Sequence, residues 1–279
     1  ILAGTAAAKE TTAGLTFDFN QNDGGFTPIF SDYPNEHGVE EFYELRSGHE
    51  EVPIADAGKG LFLSGNNHSD DLFMGYFKEL SGLAPETEYQ FTVRFKLATN
   101  VENGLIGIGG APGESVFVKC GVASEEPENS LDSLNYFRLN IDKGSQSDSG
   151  ADMIVVGNLA KEENNRPGEY EFNEIETKVI ARTDEAGTAY LVIGTDSGFE
   201  GVTSYYLDDI SVSWADTSEV SGATQPRCCL TMPIAGTRPL EPPPLRMWPG
   251  MLLTLRQLPG QSKTVIWAAT ATVSSGRRI

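Results

Sequence analysis

The feature that most constrains this chain is an alternation of apolar and polar residues with a period of two. In EYQFTVRFKLA, residues 88–98, every second side chain from Tyr89 to Leu97 is apolar and those between are polar. Because successive side chains of a strand point to opposite faces, this pattern is typical of a half-buried antiparallel strand. Shorter runs of the same kind recur from Leu15 to Trp214, separated by clusters of Gly, Asn, Asp, Ser and Pro. About ten to twelve strands, with no convincing amphipathic helix, predict an all-β antiparallel sandwich or jelly roll over residues 12–216.

The charge of the chain is unevenly distributed. The 279 residues include 40 Asp and Glu against 20 Lys and Arg, for a net charge of −20. Residues 217–279 hold two of those acids and seven of those bases, which leaves −25 on residues 1–216. A field of that sign repels nucleic acid and anionic membranes and favours neutral or cationic ligands. We therefore expect no nucleic-acid partner for the sandwich.

The composition changes after Asp216. Residues 217–279 contain eight of the 15 prolines, and the stretch RPLEPPPLRMWPG cannot enter the interior of a sheet because proline lacks the backbone donor. We expect a Pro/Arg-rich extension that adds no strand to the sandwich. Two interpretations of it stay open, a disordered segment and a segment translated out of frame or left by a fusion.

The amino-terminal residues predict export. The sequence ILAGTAAAKETTAG places three alanines, Ala6 to Ala8, directly before Lys9 and Glu10, which is typical of the end of an export signal. We expect residues 1–11 to be the remnant of such a signal or a disordered amino terminus. The protein is then expected to be secreted or held at a bacterial cell surface.

The cysteines and the hydropathy of the chain add little to the prediction of function. In SVFVKCGV, Cys120 shares a face with Val118 and Val122, so we expect a buried thiol rather than a nucleophile. No disulfide framework is readable from the three cysteines. No stretch is long and apolar enough to predict a membrane span.

The stretch SYYLDDISVSW, residues 204–214, has the composition of a buried strand but carries two adjacent acids, Asp208 and Asp209. Strict alternation puts Asp208 on the face of Ile210 and Trp214, toward the core, and Asp209 on the solvent face. An unpaired carboxylate is costly to bury. We therefore expect Asp208 to lie at a rim, where a cation or hydrogen-bond donors hold it, and Asp209 to be solvated.

Two stretches together resemble carbohydrate-binding modules of the family 4, 9 and 22 type. YFKELSGLAPETEYQFTVRFKLA is similar to the segment in which these modules turn from one strand into the next, and YYLDDISVSW is similar to their closing strand. The matching positions are Leu83, Pro85, Tyr89, Phe91, Phe95 and Lys96, then Tyr206, Asp208, Asp209, Ile210 and Val212. The resemblance implies a galactose-binding-like jelly roll that binds a sugar. Three other stretches, IGIGGAPGESVFVKCGVASEEP, NIDKGSQSDSGADM and IGTDSGFEG, resemble uncharacterised secreted bacterial proteins, which implies no function.

The resemblance also implies a structural calcium ion. In many modules of this type an Asp of the closing strand helps to hold Ca²⁺, and the matching position here is Asp208. Calcium takes six to eight oxygen ligands, and a rim carboxylate beside turn carbonyls suits it. The alternative is that Asp208 accepts backbone N–H bonds at a turn.

Sugar binding needs aromatic rings that stack on pyranose faces and polar groups that bond the hydroxyls. We expect the most exposed aromatic residues to be Tyr33, Tyr43, Tyr76 and Tyr136. In NYFRLNI, Tyr136, Arg138 and Asn140 alternate with apolar residues and form a polar surface row. The predicted ligand-binding residues are Tyr136, Arg138, Asn140, Tyr76 and Tyr43. Each tyrosine has a plainer alternative as a framework ring.

Enzymatic activity is the main alternative to binding. Glu114, Asp142, Asp196 and Glu200 lie in or next to Gly-rich loops and could form a glycosidase acid pair, although so acidic a chain supplies such candidates by chance. The three histidines have no zinc spacing, and no G-x-S-x-G motif occurs. The acidic loop NIDKGSQSDSGAD matches no calcium loop and is expected to be a solvated turn.

The sequence thus predicts non-catalytic recognition of an oligosaccharide or polysaccharide by a secreted or cell-surface β-sandwich. A glycan-active hydrolase or lyase and a structural adhesion domain remain as alternatives. A groove lined by two close acids would favour the enzyme, and an aromatic platform would favour binding.

Overall fold

The computed structural model describes residues 13–164 and 166–218. The chain divides into two units, Ile1–Pro226 and Arg227–Ile279, and every described residue belongs to the first. The predictions for residues 1–11, and for all but the first two residues of 217–279, therefore lie outside the described residues.

The described residues form thirteen strands and one short helix, slightly more strands than the sequence predicts. Their bounds are β1 Ala13–Phe17, β2 Thr27–Ser31, α1 Val39–Phe42, β3 Arg46–Glu51, β4 Lys59–Asn66, β5 Leu72–Leu80, β6 Glu88–Thr99, β7 Val116–Ala123, β8 Asn129–Leu131, β9 Phe137–Leu139, β10 Met153–Asn158, β11 Glu171–Arg182, β12 Ala189–Ser197 and β13 Val202–Asp216. The helix has four residues, and nothing in the described part of the chain could cross a membrane as a helix.

Two antiparallel sheets form a β-sandwich, so the predicted fold class is confirmed. Sheet 1 has the order β11-β6-β13-β4-β3, and β1 also pairs with β13. Sheet 2 has the order β10-β7-β12-β5-β2. A separate hairpin pairs β8 with β9.

The main core lies between the two sheets and follows from the period of two. On β6 the apolar residues Phe91, Val93 and Leu97 are 0 % exposed, and the polar residues between them face outward. Cys120 of β7 is also fully buried, and burial raises the pKa of its thiol to about 12, as expected for a core thiol.

The outer face of sheet 2 is covered rather than open. Phe73 and Phe77 alternate along β5 with residues of the main core, and they form a second apolar cluster with Val192, Met153 and Ile141. We call residues 140–152 the cover loop. The prediction of a solvated turn there is wrong for Lys143, which is 7 % exposed because its ammonium group turns inward to pair with Asp32 and Asp196.

A β-bulge interrupts β13 at the two adjacent acids. Up to Leu207 the strand pairs with β4, and from Ile210 it pairs with β1. Between these segments its register against β6 shifts, and Asp209 takes a left-handed conformation with φ of 46°. The bulge inserts a residue into the alternation, which changes the face on which the following side chains lie.

Candidate functional site

The bulge corrects the predicted orientation of Asp208. Asp208 pairs with Lys96 on the outward side of sheet 1, whereas Leu207 and Ile210 enter the core. It is nevertheless 4 % exposed, and its Oδ1 accepts the backbone N–H of Asp209 at 2.8 Å. Burial raises the pKa of Asp208 to about 6. Asp209 is exposed, as predicted, and forms a 2.6 Å ion pair with Lys96.

The expectation of exposure is wrong for three of the four predicted tyrosines. Tyr33, Tyr43 and Tyr76 are 5 %, 3 % and 3 % exposed, since all three belong to the core between the sheets. The Tyr76 hydroxyl lies 3.1 Å from the carbonyl oxygen of Phe62, and burial raises its pKa to about 12. These rings contribute to the framework of the sandwich.

The predicted row of Tyr136, Arg138 and Asn140 is divided between two environments. The guanidinium of Arg138 lies 5.3 Å from the centre of the half-buried Tyr136 ring. Asn140 is exposed, but its amide donates to the carbonyl of Glu126 and accepts the N–H of Glu128, both at 2.9 Å. Tyr136 and Arg138 therefore form one unit, and Asn140 holds the preceding loop.

Arg138 is fixed by carboxylates from three directions. Its Nη1 lies 2.6 Å from Oδ1 of Asp32 and 3.2 Å from Oδ2 of Asp71, and its Nε lies 3.1 Å from Oδ2 of Asp132. The arginine side chain is 37 % exposed and that of Asp71 is 30 % exposed. Among the residues described, no hydrogen bond engages Nη2 of Arg138, so this donor faces ligands or water.

Further ion pairs connect Arg138 to charged residues in the interior of the sandwich. The ammonium group of Lys143 lies 2.9 Å from Asp32 and 2.8 Å from Asp196, and that of Lys119 lies 2.9 Å from Asp196. Lys119 and Asp196 are both fully buried. We call these seven residues the charge network: Asp32, Asp71, Asp132, Asp196, Lys119, Lys143 and Arg138. Sequence reasoning missed it because its members are far apart in the chain.

Part of the charge network has the spacing of a metal site. Single carboxylate oxygens of Asp32, Asp71 and Asp196 all lie within 4.8 Å of one another, which by distance alone could hold a metal ion. The charges disagree with that use, because Lys143 already holds two of these acids and Arg138 holds the third. Ammonium groups at this distance would repel a cation. We assign no metal to the charge network.

A row of aromatic rings crosses the solvent-facing side of sheet 1. The register pairs Phe62 of β4 with Tyr206 of β13, Tyr206 with Ala98 of β6, and Ala98 with Phe172 of β11. Paired residues of antiparallel strands share a face, so three rings and one small residue lie side by side. We call Phe62, Tyr206 and Phe172 the aromatic row.

Further rings and charges frame the aromatic row. The centres of Phe62 and Tyr206 are 4.9 Å apart, and Tyr170 meets Tyr206 edge-on at 5.7 Å. Arg46 lies 5.3 Å from the centre of Phe62, and Lys96 lies 5.3 Å from that of Phe172. Phe62 is 6 % exposed beneath its neighbours, whereas Tyr206, Tyr170 and Phe172 are half-buried.

A groove of about 370 Å³ continues from Lys96 along the same face. Its charged lining residues are Arg94, Lys96, Glu174, Glu176 and Asp209. Arg94 pairs with Glu176 at 2.8 Å and Lys96 pairs with Asp209 at 2.6 Å, so the groove carries nearly balanced charge. The aromatic row and this groove together offer ring faces and hydrogen-bonding groups on one surface.

Comparisons with known proteins found solved structures that are similar to this chain at low identity. No protein-family model matches the sequence, and no curated protein matches it. Among solved structures, a mannan-recognising module, TmCBM27, has a TM-score of 0.38 at 12 % identity, covering 75 % of this chain and 99 % of that one. The CBM22-1 xylan-binding domain of Xyn10C from Paenibacillus barcinonensis has a TM-score of 0.35 at 10 % identity, with the same coverage.

A third similar structure is the enzymatically active domain of tailspike protein 4 from bacteriophage CBA120. It has a TM-score of 0.33 at 11 % identity, and this chain spans 20 % of it. At these scores and identities the likeness carries no argument about a ligand. The sandwich itself is established by the strand pairing described above.

Proposed function

We propose that the protein recognises a carbohydrate without catalysing a reaction, and that the aromatic row is its contact surface. The observation that carries the proposal is the row itself. Outward positions of a sheet are ordinarily polar, yet here three rings and a neighbouring tyrosine line one level of sheet 1. Tyr206, Tyr170 and Phe172 reach solvent, and Phe62 lies beneath them. A platform of this kind is suited to the faces of pyranose rings, whose C–H groups stack on aromatic rings.

The surroundings of the row support an extended and uncharged ligand. Adjacent strands lie about 4.8 Å apart, so the row extends across four strands, from Phe172 of β11 past Ala98 of β6 to Tyr206 of β13 and Phe62 of β4. Arg46, Lys96 and Glu174 project from the same face and could bond hydroxyl groups. The paired charges of the groove and the negative field of the sandwich both disfavour an anionic glycan.

The experiment is calorimetry of neutral oligosaccharides, selected on a glycan array, against residues 12–218 and their variants. Tyr206→Ala should weaken binding by about 1 to 3 kcal/mol, by analogy with other stacking contacts. Tyr170→Ala, which removes a ring at the edge of the row, should have a smaller effect of the same sign. Melting curves show whether each variant is folded.

The sequence-predicted residues define a competing contact surface. Tyr136 and Arg138, with the free Nη2 of Arg138, could bind a sugar, whereas the predicted Tyr43 lies buried behind them. Tyr136→Ala in the same calorimetry separates the two surfaces. If Tyr136→Ala abolishes binding and Tyr206→Ala leaves it intact, the aromatic row is not the site, and if no glycan binds at all the proposed function fails.

The hydrolase alternative has weaker support. The structure brings Asp32, Asp71 and Asp196 close together, as an acid pair would require, but Asp196 is fully buried and Asp32 is 5 % exposed at its side chain. A sugar could reach Asp71 alone. The candidates Glu114 and Asp142 instead accept backbone N–H groups of nearby loops.

Calcium at Asp208 stays a proposal. The side chain is nearly buried next to Asp209, and Asp18 is close enough to act on it electrostatically, so oxygen ligands are concentrated there. No third acid, His or Cys side chain joins them at metal-binding distance within the described residues. Repeating the melting curves with calcium and with EDTA tests the ion. A calcium-dependent melting point that Asp208→Asn removes would support it.

We also propose that the protein is secreted or displayed at the cell surface.

A further inference from the structure

The charge network is one positive charge short of balance. It contains four carboxylates, Asp32, Asp71, Asp132 and Asp196, against three cations, Lys119, Lys143 and Arg138. Its inner half is removed from water, where an excess charge is costly. One additional positive charge, taken up from solvent, would balance the network.

The hydrogen-bond pattern shows where that charge is needed. Oδ1 of Asp71 and Oδ1 of Asp196 are buried atoms without a hydrogen-bond partner in the described residues. The donors of Lys119 are fully used, since its Nζ bonds the carbonyl oxygens of Lys143 and Asp148 as well as Asp196. A buried acceptor without a donor is unfavourable, so each of these oxygens lacks a hydrogen-bond donor. One carboxylate oxygen of Asp71 and one of Asp196 lie within 4.8 Å of each other.

The same network holds the cover loop on sheet 2. The backbone N–H of Gln146 donates to Oδ2 of Asp196 at 2.9 Å, and the side chain of Gln146 donates to the carbonyl of Asp70 at 2.6 Å. Lys143, which belongs to the loop, bonds Asp32 and Asp196. Most of the loop's attachments to sheet 2 therefore end on the charged groups of the network.

We propose that Asp71 and Asp196 form a buried proton-binding site and that the bound proton keeps the cover loop closed. The proton resides on Oδ1 of Asp71, the more accessible of the two acids, and comes from solvent. No covalent bond other than this O–H bond is formed. The charged groups that face Asp71 are Asp32 after β2, Asp132 and Arg138 of the β8–β9 hairpin, Lys143 of the cover loop, Asp196 of β12 and, behind it, Lys119 of β7.

The direction in which pH changes the closure of the cover loop follows from the pKa of Asp71 in the closed form. Burial, reinforced by Asp32 and Asp196, raises the pKa of Asp71 to about 6. With the loop open, the pKa returns toward about 4, the ordinary value of an aspartate. The closed form therefore binds the proton more tightly, and closure is strongest at low pH. Between about pH 4 and about pH 6 the closed-to-open ratio falls by up to tenfold per pH unit, and above that it is constant.

Hydrogen exchange of the intact protein measures this ratio. After correction for the intrinsic pH dependence of exchange, protection of peptides spanning residues 142–150 should fall by up to tenfold per pH unit from about pH 4 to about pH 6. Asp71→Asn, which resembles the protonated acid, should keep the loop protected and make this profile flat. Asp208→Asn, the same change at a buried acid of sheet 1 outside the charge network, should leave the profile of the cover loop unchanged.

Two results would overturn the proposal. The first is an unchanged slope in Asp71→Asn, which would show that another group titrates. The second is a slope that disappears in buffer with EDTA and with tetramethylammonium in place of sodium and potassium, which would show that a metal cation fills the site. If Asp71→Asn does not fold, carbon-13 NMR of the wild-type aspartate side chains replaces it. One network carboxyl should titrate near pH 6, and titration of all of them near pH 4 would contradict the site.

Discussion

For Lys119, the sequence predicts the face of the strand on which the side chain lies but not the groups that the side chain contacts. Its sequence context, SVFVKCGV, places it opposite the apolar residues of β7, and the structure agrees. What makes a fully buried lysine tolerable is that all of its donors have acceptors, two carbonyl oxygens and Asp196. A buried ion pair contributes little net stability over an apolar pair, but breaking one is costly because the remaining charge stays buried.

Lys119→Met should therefore lower the free energy of unfolding by about 3 to 5 kcal/mol, because it leaves Asp196 with one cation fewer in a dry environment. Arg94→Met is the matched control, since Arg94 also pairs with an acid from a sheet position but is 56 % exposed at its side chain. Loss of that exposed pair should cost about 1 kcal/mol or less. Urea unfolding checks both, and equal costs would contradict the larger effect of breaking the buried ion pair.

At the scale of the element, β5 and β12 depend on two glycines that face each other. Gly75 and Gly194 are register partners on the outer face of sheet 2, and the ring of Phe73 lies close above both positions. Side chains at these positions would occupy the space of that ring. The two glycines thus leave room for the ring of Phe73, which belongs to the second apolar cluster, to pack against the sheet.

Gly194→Ala should destabilise the protein by about 1 to 3 kcal/mol, the usual cost of overpacking. The new Cβ would overlap the carbonyl oxygen of Met74 and approach Cα of Gly75 to 2.8 Å, and backbone atoms cannot move aside cheaply. Gly157→Ala on β10 is the control, because its Cβ would meet nothing within 4 Å. Thermal unfolding of the two variants gives the comparison, and an equal loss in both would contradict the packing argument.

At the scale of the whole molecule, the sandwich is complete within the described residues. All thirteen strands have partners there, and β13 ends at Asp216, two residues beyond the predicted last strand residue, Trp214. The strongly negative charge also belongs to this part of the chain. We therefore propose that the sandwich folds without residues 219–279.

Truncation after Ser218 should leave the melting temperature of the sandwich within about 2 °C of that of the full chain, since it removes none of the paired strands. Differential scanning calorimetry of both proteins at the same pH and salt measures the difference. A loss of several kcal/mol, which is a large part of the stability of a domain, would show that the removed residues contribute to the core.

The sequence by itself determined the fold class, the residues of most strands and much of the core, including Cys120. It could do so because burial on one face of a strand requires an alternation that neighbouring residues of the chain record. The same alternation failed at Asp208, where a bulge between two partner strands changed the face, and it failed for Tyr76, since period two does not say which of two faces is inside. Tyr43 follows helix α1, where no strand alternation applies.

Only the tertiary structure decided which residues form the aromatic row and the charge network, on which the proposals rest. The aromatic row joins positions 62, 206 and 172, which become neighbours through the order and register of β4, β13, β6 and β11. The charge network joins acids at the ends of β2, β5 and β12 with Lys119 of β7, Arg138 of β9 and Lys143 of the cover loop. Strand order and loop coverage depend on contacts between segments distant in sequence, so no local pattern could record them.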